Sequence, residues 1–500
     1  MEKLPLLEDS EVQILDPTPN LRSQKPLPSN FFIVSLLLLI LLGSLLYLKV
    51  DAEAVSIDNW ASPDPNSNLN PSGVVVLQEE PPPICVLEPW NFKWTESFPD
   101  YEYYVKLAKI GVTGGEGMGA GELRLISAFL YEEYIVVTTS HQDKKDLGGS
   151  IYCRYFDCNR LELPNSKFQS IFFPMTAVHC ARRVGAEFIS LTFGAEEKPQ
   201  EPIPLVSRLF ESQSPPHEVG VCVGQIYGDE RKWLEILEYV EHHRLIGASM
   251  FYFTVFEMDG YTKKVMEEYQ RLGLAEVSFV NTEYQIINIL FHQIQLAECF
   301  FRSKFHSKWV INVDIDERLT LQHAELFRPF LRNLHPSICE IIFGNRRVPK
   351  MEKDPETFET EEKLIESMEF LRYHNTSDAH WAAPKIVFRP DKVHNIYMHW
   401  SWRQRSGCRI ASVPLWIGYI RHYRFVGQFG LGNNWLQAFN TTHQFPLDPQ
   451  FAENLKNAVV EKVKYLYNLK PIPCEHIEPF FKEIYGNDTL KCVEKEKDKV

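Results

Sequence analysis

The sequence predicts an α/β protein with three parts: a single N-terminal transmembrane helix, a small antiparallel β domain, and a larger domain with a mostly parallel sheet. Three observations support this fold class. An uncharged apolar run occupies residues 31–48, short strand-like runs fill residues 123–205, and strands alternate with amphipathic helices between residues 219 and 313. A chain of 500 residues that is 44% hydrophobic is long enough for more than one globular domain.

The apolar run, FFIVSLLLLILLGSLLYL, is long enough to cross a hydrocarbon core of roughly 30 Å at about 1.5 Å per residue. A cleavable signal peptide is the alternative, but its apolar stretch is usually about 7–15 residues long and lies nearer the N-terminus. Here 30 residues precede the run. We therefore predict an uncleaved signal anchor at residues 31–50.

Basic residues flank the predicted anchor unequally. Arg22 and Lys25 precede it, whereas the next cation after Lys49 is Lys93. Because cytoplasmic flanks of a membrane helix carry the excess of Lys and Arg, this asymmetry predicts a cytoplasmic tail at residues 1–30. The rest of the chain would then lie in the secretory lumen.

Two further patterns agree with a lumenal body. All ten cysteines follow the anchor, and N-x-S/T sequons begin at Asn375, Asn440 and Asn487. An oxidising compartment lets cysteines pair, and such sequons are acceptors for N-glycosylation. The cysteines and one histidine between residues 153 and 180 raise the alternative of a zinc site, but their spacing is not that of a known finger, so disulfides are favoured.

Composition divides the lumenal body further. Residues 51–100 are rich in Pro, Asn, Ser and acids and predict a stalk, because such a segment buries little apolar surface. The β-rich domain is predicted at residues 101–212, the larger domain at 213–470, and a C-terminal tail at 471–500. Within the β-rich domain, the glycine-rich residues 111–122 match neither G-x-G-x-x-G nor the P-loop pattern and are predicted to form a loop.

The larger domain begins with a regular alternation of strands and helices. Strands of this kind with intervening helices of this length predict a parallel sheet covered on both faces. The predicted strands are 219–228, 250–256, 275–280 and 308–313, and the predicted helices are 232–245, 261–272 and 286–301. The net charge of −14 and the absence of a basic cluster argue against a nucleic-acid-binding protein.

The fourth predicted strand ends in three acids, Asp314, Asp316 and Glu317. Sheets of this class bind ligands beyond the carboxyl ends of their strands. In an extended chain, Asp314 and Asp316 would share a face about 6.6 Å apart, with Glu317 pointing away. Two such carboxylates repel one another unless a cation lies near them, so we predict a divalent metal site that bridges the protein and a nucleotide diphosphate.

The segment from residue 219 to about 425 resembles glycosyltransferase family 92. The resemblance is carried by CVGQIYGDERKWLEILEYVEHHRLIGASMFYFTV, WVINVDIDE, KIVFRPDKVHNIYMHW and HYR, in that order. The β region from about residue 120 also resembles the N-terminal part of such proteins. The resemblance implies a GT-A (Rossmann-like) glycosyltransferase domain in a type II membrane enzyme of the Golgi. It further implies a UDP-sugar donor, commonly UDP-galactose, a glycan acceptor and a divalent metal such as Mn²⁺.

The resemblance also implies roles for individual metal-site residues. Asp314 and Asp316 match the metal-binding acids of the family. His399, in MHW, is the candidate for a third metal ligand. His422, in HYR, is the competing candidate. The alternative role for His399 is that of a histidine in an aromatic core. Arg318 departs from the family, whose members tend to carry an aromatic residue after the three acids.

Donor-binding candidates follow from strand position. Lys385 and Arg389 either screen the phosphates or are ordinary surface cations. Tyr227, at the end of the first predicted strand, is a candidate for stacking on uracil. Glu257 or Asp259, after the second strand, is a candidate for holding the ribose hydroxyls.

The functional hypothesis is metal-dependent transfer of a hexose, with inversion, to a glycan acceptor. An inverting transferase needs a general base, and no residue is assigned to that role. The acid-rich residues 351–370 lie where acceptor loops often occur, although a solvated helix or loop is the alternative. A second hypothesis is a membrane-tethered glycan-binding or scaffolding protein with an inactive transferase-like domain.

Overall fold

A computed structural model describes much of the chain. The described residues are 85–110, 123–140, 150–174, 176–210, 214–228, 230–280, 289–425, 442–468, 472–473 and 492–493. All of them lie in one of the two compact units into which the chain divides, residues 83–500. The predicted anchor, the glycine-rich loop and most of the predicted stalk and C-terminal tail lie outside the described residues. Within the described ranges, no helix is both long and apolar enough to cross a membrane.

The helices are α1 Tyr101–Lys109, α2 Trp233–Leu245, α3 Gly260–Arg271, α4 Ile289–Ser303, α5 Phe327–Asn333, α6 Glu361–Ser367, α7 Glu369–Arg372 and α8 Pro449–Tyr467. The strands of the N-terminal half are β1 Leu125–Leu130, β2 Tyr134–Thr139, β3 Ser150–Phe156, β4 Phe168–Ile171, β5 Ala177–Ala181, β6 Phe188–Thr192 and β7 Ile203–Ser207. The strands of the central part are β8 His217–Val223, β9 Met250–Val255, β10 Ala275–Phe279, β11 Ser307–Val313, β12 Glu317–Leu321, β13 Ile338–Lys350, β14 Asn375–Ser377 and β15 His380–Phe388. The remaining strands are β16 Val393–Ile396, β17 Ser401–Gln404, β18 Arg409–Ser412, β19 Gly418–Phe425, β20 Thr442–Gln444, β21 Ile472–Pro473 and β22 Cys492–Val493.

The first sheet has seven strands within the described residues, in the order β4-β3-β6-β7-β1-β2-β5. Its pairs are antiparallel except for the parallel pair of β1 and β7. The two edge strands, β4 and β5, approach each other. The Ser170 hydroxyl donates to the carbonyl oxygen of His179 at 2.6 Å, and Phe172 forms an antiparallel β-bridge with Val178. The sheet therefore curls almost into a closed barrel, a way to cover edge strands.

The second sheet is mixed, and this corrects the prediction of a mostly parallel sheet. Its strand order is β10-β9-β8-β11-β15-β13-β19-β12, with β18 paired to β13. The four strands predicted from the strand–helix alternation pair in parallel, β10 with β9, β9 with β8 and β8 with β11. Beyond them, β15 runs antiparallel to both β11 and β13. The alternation ends after β11, so the sequence carried no pattern that would fix the direction of the later strands.

The predicted helices of this domain form close to their expected bounds. Helix α3 begins where the Asp259 side chain accepts hydrogen bonds from the backbone N–H groups of Tyr261 and Thr262. Such a capping side chain satisfies donors that the first turn of a helix leaves free. Helix α8 begins in the same way, with Asp448 capping Phe451 and Pro449 at the first helical position.

Helix α4 packs against both sheets. Phe300 and Phe301 are fully buried in a core that also contains Phe129 and Tyr134 of the first sheet and Phe388 of the second. In the same region, the carboxylate of Glu298 accepts hydrogen bonds from Ser127 and Thr138 of the first sheet and from Ser278 of the second. The two sheets therefore share one core through this helix.

Four disulfides join described residues: Cys85–Cys158, Cys153–Cys180, Cys222–Cys299 and Cys339–Cys408. The expectation of cysteine pairing is confirmed, and the alternative of a zinc site between residues 153 and 180 is not supported. The bond from Cys222 to Cys299 joins β8 to α4 directly below the edge of the second sheet at which the three acids lie.

Candidate active site

The three acids occupy a tight turn rather than an extended strand. Strand β11 ends at Val313, and the Glu317 N–H donates to the carbonyl oxygen of Asp314 at 3.0 Å. The Asp314 N–H in turn donates to the Glu317 carboxylate at 2.9 Å. The prediction that Glu317 points away from Asp314 is therefore wrong, because it assumed an extended backbone where the chain turns.

Lys385 supplies the cation that the acid turn requires. Its ammonium group lies 2.6 Å from the Asp314 carboxylate and 3.0 Å from that of Glu317, and only 3% of its side chain is exposed. Strand β15 brings it there, because Asn312 pairs with Ile386 and Lys385 is thus level with the end of β11. Burial opposes the charge of the ammonium group, but Asp314 and Glu317 outweigh it and raise the pKa of Lys385.

The same charges set the pKa of the acids. Burial would raise the pKa of Asp314, but Lys385 more than offsets it, so the pKa lies below its usual value. Glu317 is more deeply buried, with 2% of its side chain exposed, and burial raises its pKa despite the attraction of Lys385. Asp314 therefore loses its proton more readily than an ordinary aspartate, and Glu317 less readily than an ordinary glutamate.

Asp316 faces a second basic group. Its carboxylate lies 3.2 Å from Nε2 of His422, and the other ring nitrogen lies 3.5 Å from Glu317. Burial opposes ionisation of Asp316, but His422 and then Arg424 and Lys385 lower its pKa. Asp316 and Glu317 in turn raise the pKa of His422 against the effect of burial. Strand β19 positions His422 between Glu317 of β12 and Arg347 of β13.

The loop after β8 forms one wall of the site. Gly224 follows β8 and donates its N–H to the carbonyl oxygen of Val313 at 3.0 Å. A Cβ atom at this position would lie 2.7 Å from the Cα of Asp314, so only glycine fits. Tyr227, farther along this loop, is half-buried, and burial raises its pKa. The predicted uracil-stacking residue therefore lies on the loop whose Gly224 packs against Asp314.

Two histidines complete the surroundings of Asp314. Nδ1 of His399 donates to the carbonyl oxygen of Pro384 at 2.9 Å, which leaves the lone pair on Nε2. Burial and Lys385 lower its pKa, and Asp314 opposes that shift. Nε2 of His292, near the start of α4, lies 3.1 Å from the side-chain nitrogen of Gln225. Burial lowers the pKa of His292, and Asp314 and Asp316 oppose that shift.

Arg318 lies behind the acid turn. Its guanidinium group is buried, donates to the carbonyl oxygens of Ile315 and Glu317, and pairs with Glu369 at 2.6 Å. It also lies 5.0 Å from the centre of the Tyr239 ring. A buried carboxylate and a ring thus accommodate the charge of Arg318, and Arg318 holds the acid turn by the backbone of that turn.

Three donor-binding candidates lie apart from this cluster or have other partners. Arg389 points to the ring of Trp309 near the start of β11 and pairs with Asp391 at 3.1 Å, about 13 Å along the strand from Lys385. Asp259 uses Oδ1 to cap α3. Glu257 is exposed on the loop after β9.

The residues present suit a divalent cation only in part. Among the described residues, no group of three His, Cys, Asp or Glu side chains is arranged to hold a metal. Asp316 and His422 nevertheless meet at the rim. Nδ1 of His399 is held by a carbonyl oxygen, as is usual for metal-bound histidine, which leaves Nε2 as the nitrogen that could bind a metal. Carboxylate and imidazole suit Mn²⁺, whose remaining ligands would be water and phosphate oxygens.

Several residues of the site are not apparent from the sequence. Arg424 belongs to the HYR motif, so its position beside His422 was a usable signal. His292 lies in a segment that is predicted only as a helix, and Arg347 lies in a segment for which no strand or helix is predicted. The contact of Lys385 with Asp314 spans 71 residues, a separation at which local patterns give no information.

Comparison with known protein families identifies this domain. Residues 217–463 match the model of glycosyltransferase family 92. These residues belong to glycosyltransferase family 92. The matched residues include the acid turn, Lys385 and His422.

Comparisons with individual proteins add little to the family assignment. No curated protein matches the chain. The crystal structure of S. aureus TarS 1–349 in complex with UDP-GlcNAc is similar at 12% identity, with 42% of this chain and 60% of that chain covered and a TM-score of 0.23. A second crystal structure of S. aureus TarS 1–349 has 11% identity, 50% and 73% coverage and the same TM-score. This chain thus spans 60% of the length of the TarS chain in the complex with UDP-GlcNAc.

Proposed function

We propose that this chain is a metal-dependent hexosyltransferase that transfers galactose from UDP-galactose to a glycan acceptor, with inversion at the anomeric carbon. We further propose that it is a single-pass type II membrane protein of the Golgi with its catalytic domain in the lumen. The observation that carries the proposal is the acid turn at the carboxyl edge of the second sheet, with Lys385 and His422 as its fixed basic partners. The family 92 assignment of residues 217–463 supports the reaction class.

In the proposed reaction, an acceptor hydroxyl oxygen forms a bond to C1 of the hexose while the bond from C1 to the diphosphate oxygen breaks. UDP leaves with the electron pair of that bond, and the hydroxyl proton passes to a carboxylate base that is not assigned. A divalent cation, when bound, would neutralise charge that develops on the leaving diphosphate. Asp316, with His422 or His399, would hold this cation.

The other residues of the cluster would bind and orient the donor. Lys385 holds Asp314 in place, so Asp314 is fixed before the donor arrives. Arg424 is exposed beside Asp316 and is the cation that we assign to the diphosphate, in place of Arg389. Tyr227 would stack on uracil, and Glu257 or Asp259 would contact the ribose hydroxyls.

Donor turnover by the purified full chain tests this proposal. The chain is incubated with Mn²⁺, a panel of UDP-sugars and candidate glycans that include fucosylated ones, and UDP release and glycan mass are measured. We expect UDP release to be fastest with UDP-galactose and a hexose to be added to an acceptor. Asp316→Asn should lower kcat by about 100-fold or more, because it removes a charged contact that acts on the leaving group.

Glu325→Gln is the matched control, because Glu325 is exposed between β12 and α5, outside the cluster. It should leave kcat unchanged. Undiminished transfer by Asp316→Asn would contradict the role of the acid turn. Release of no UDP from any donor would instead favour a glycan-binding protein with an inactive transferase-like domain.

A further inference from the structure

Two exposed tryptophans flank the candidate active site, and neither is needed for the protein core. Trp381 is 45% exposed at the start of β15, and Trp400 is 53% exposed in the turn between β16 and β17. Aromatic rings are common where a ligand packs, so two exposed rings beside a candidate active site indicate a contact surface.

The backbone that carries Trp381 is rigid. Strand β15 runs antiparallel to β11, so its first residues extend past Val313 and over the edge at which the acid turn lies. Ala383 has a φ of 53°, in the left-handed region that a residue with a Cβ rarely adopts. The side-chain amide of Asn345 holds this conformation by donating to the carbonyl oxygens of Ala382 and Ala383 at 2.7 and 2.9 Å. Strained backbone kept by specific contacts is typical of binding sites.

The backbone that carries Trp400 is held just as firmly. The Tyr397 N–H donates to the carbonyl oxygen of Trp400 at 2.8 Å and closes the turn. The amide of Asn312, near the end of the catalytic strand β11, donates to the carbonyl oxygen of Tyr397 at 3.2 Å. The hydrogen bond from His399 to Pro384 then joins this turn to the segment that carries Trp381.

We propose that Trp381 and Trp400 form a stacking surface for the sugar rings of the acceptor glycan. One face of a hexose presents mainly C–H groups, which pack well on the electron-rich face of an indole. Because Asn312 and His399 connect both tryptophans to the acid turn, a glycan on this surface would present its terminal hydroxyl to the donor. The preformed surface needs little ordering on binding, which favours affinity for a flexible oligosaccharide. This inference rests on the proposed function for the identity of the ligand.

A binding experiment tests the surface separately from catalysis. The fluorescently labelled full chain, with UDP and Mn²⁺ present, is applied to a printed array of immobilised oligosaccharides. We expect the wild type to bind a subset of them. Trp381→Ala and Trp400→Ala should each weaken that binding about tenfold or more, as is typical when an aromatic anchor is truncated. Trp381→Phe and Trp400→Phe should keep most of it, because a ring face remains.

Trp94→Ala is the matched control, because Trp94 is 48% exposed and precedes the first sheet, outside the family 92 domain. It should bind as the wild type does. Hydrolysis of UDP-galactose without acceptor by the wild type is measured in parallel. Thermal unfolding of each variant shows separately that the variant is folded.

The outcomes separate the two proposals. If the alanine variants lose array binding while no variant or wild type hydrolyses a UDP-sugar, the stacking surface stands and the proposed transferase activity fails. If UDP-galactose is consumed but Trp381→Ala and Trp400→Ala bind the array as tightly as the wild type, the stacking surface is wrong. Binding to no printed glycan by the wild type also overturns it.

Discussion

At the scale of single residues, the acid turn depends on a lysine that is distant in sequence. Lys385 is the buried counter-ion of Glu317 and a direct partner of Asp314. A buried carboxylate that loses such a partner must either stay charged in an apolar environment, at a high cost in free energy, or take up a proton. The charge state of the turn therefore depends on position 385.

We predict that Lys385→Met lowers the free energy of unfolding by about 3–5 kcal/mol, the cost of leaving one member of a buried ion pair alone. Chemical denaturation of the full chain measures this change. Lys385→Arg, which keeps the charge, should recover part of the loss. A Lys385→Met chain as stable as the wild type would mean that Glu317 is protonated in the native state and needs no cation.

Gly224 is the second residue on which the turn depends. We predict that Gly224→Ala displaces Asp314, destabilises the chain by about 1–3 kcal/mol through overpacking, and lowers kcat for transfer. Gly260→Ala is the matched control, because a Cβ atom there meets nothing within 4 Å and the backbone is helical. Equal stability and kcat of the two variants would contradict the close approach of Gly224 to Asp314.

At the scale of secondary structure, helix α4 connects the two sheets through Glu298. The Glu298 side chain is completely buried, and its carboxylate pairs with Arg302 at 2.6 Å besides its contacts with hydroxyl groups. Burial would raise the pKa of Glu298, but Arg302 and the hydrogen bonds outweigh it, so the pKa lies below its usual value. A lowered native pKa contributes stability above the unfolded value of 4.5, and that contribution is lost as the pH falls through the native pKa.

We predict that Glu298→Gln lowers the free energy of unfolding near neutral pH by about 3–5 kcal/mol, because its amide group would face the donors of Arg302. The difference from the wild type should shrink as the pH falls below 4.5, where the wild type loses the contribution of the ionised carboxylate. Denaturation at a series of pH values measures it. Glu366→Gln, an exposed position on α6, should show no such pH-dependent difference.

Local sequence patterns predicted the elements better than the contacts between them. Helices α2 and α3 and strands β8 to β11 follow from apolar periodicity, which is set by residues close in sequence. The turn at Asp314 and the pairing of Asp316 with His422 do not, because the latter joins residues 106 positions apart. The direction of β15, which delivers Lys385, is likewise set by packing of the whole sheet.

At the scale of the whole molecule, the shared core ties the two sheets into one folding unit. Tyr131 of the N-terminal half donates its hydroxyl to the carbonyl oxygen of Phe301, and both residues are fully buried. Removal of the first sheet would expose this apolar face of α4 to water, and burial of apolar surface is the main source of stability.

We predict that a chain starting at residue 213 is recovered mainly as aggregate, or unfolds about 10 °C or more below a chain starting at residue 83. Thermal unfolding and size-exclusion chromatography of the two chains measure this difference. A well-folded shorter chain with the same unfolding temperature would show that the second sheet is stable without the first.

The disulfide between Cys222 and Cys299 has a practical consequence for obtaining this protein. Cys222 lies two residues before Gly224, so a covalent bond secures the strand that leads into the loop packed against Asp314. A host whose cytosol keeps thiols reduced would produce a chain that lacks this bond. Laboratory production should therefore use secretion from a eukaryotic cell or refolding with an oxidant, and assays of material made otherwise would underestimate what the protein can do.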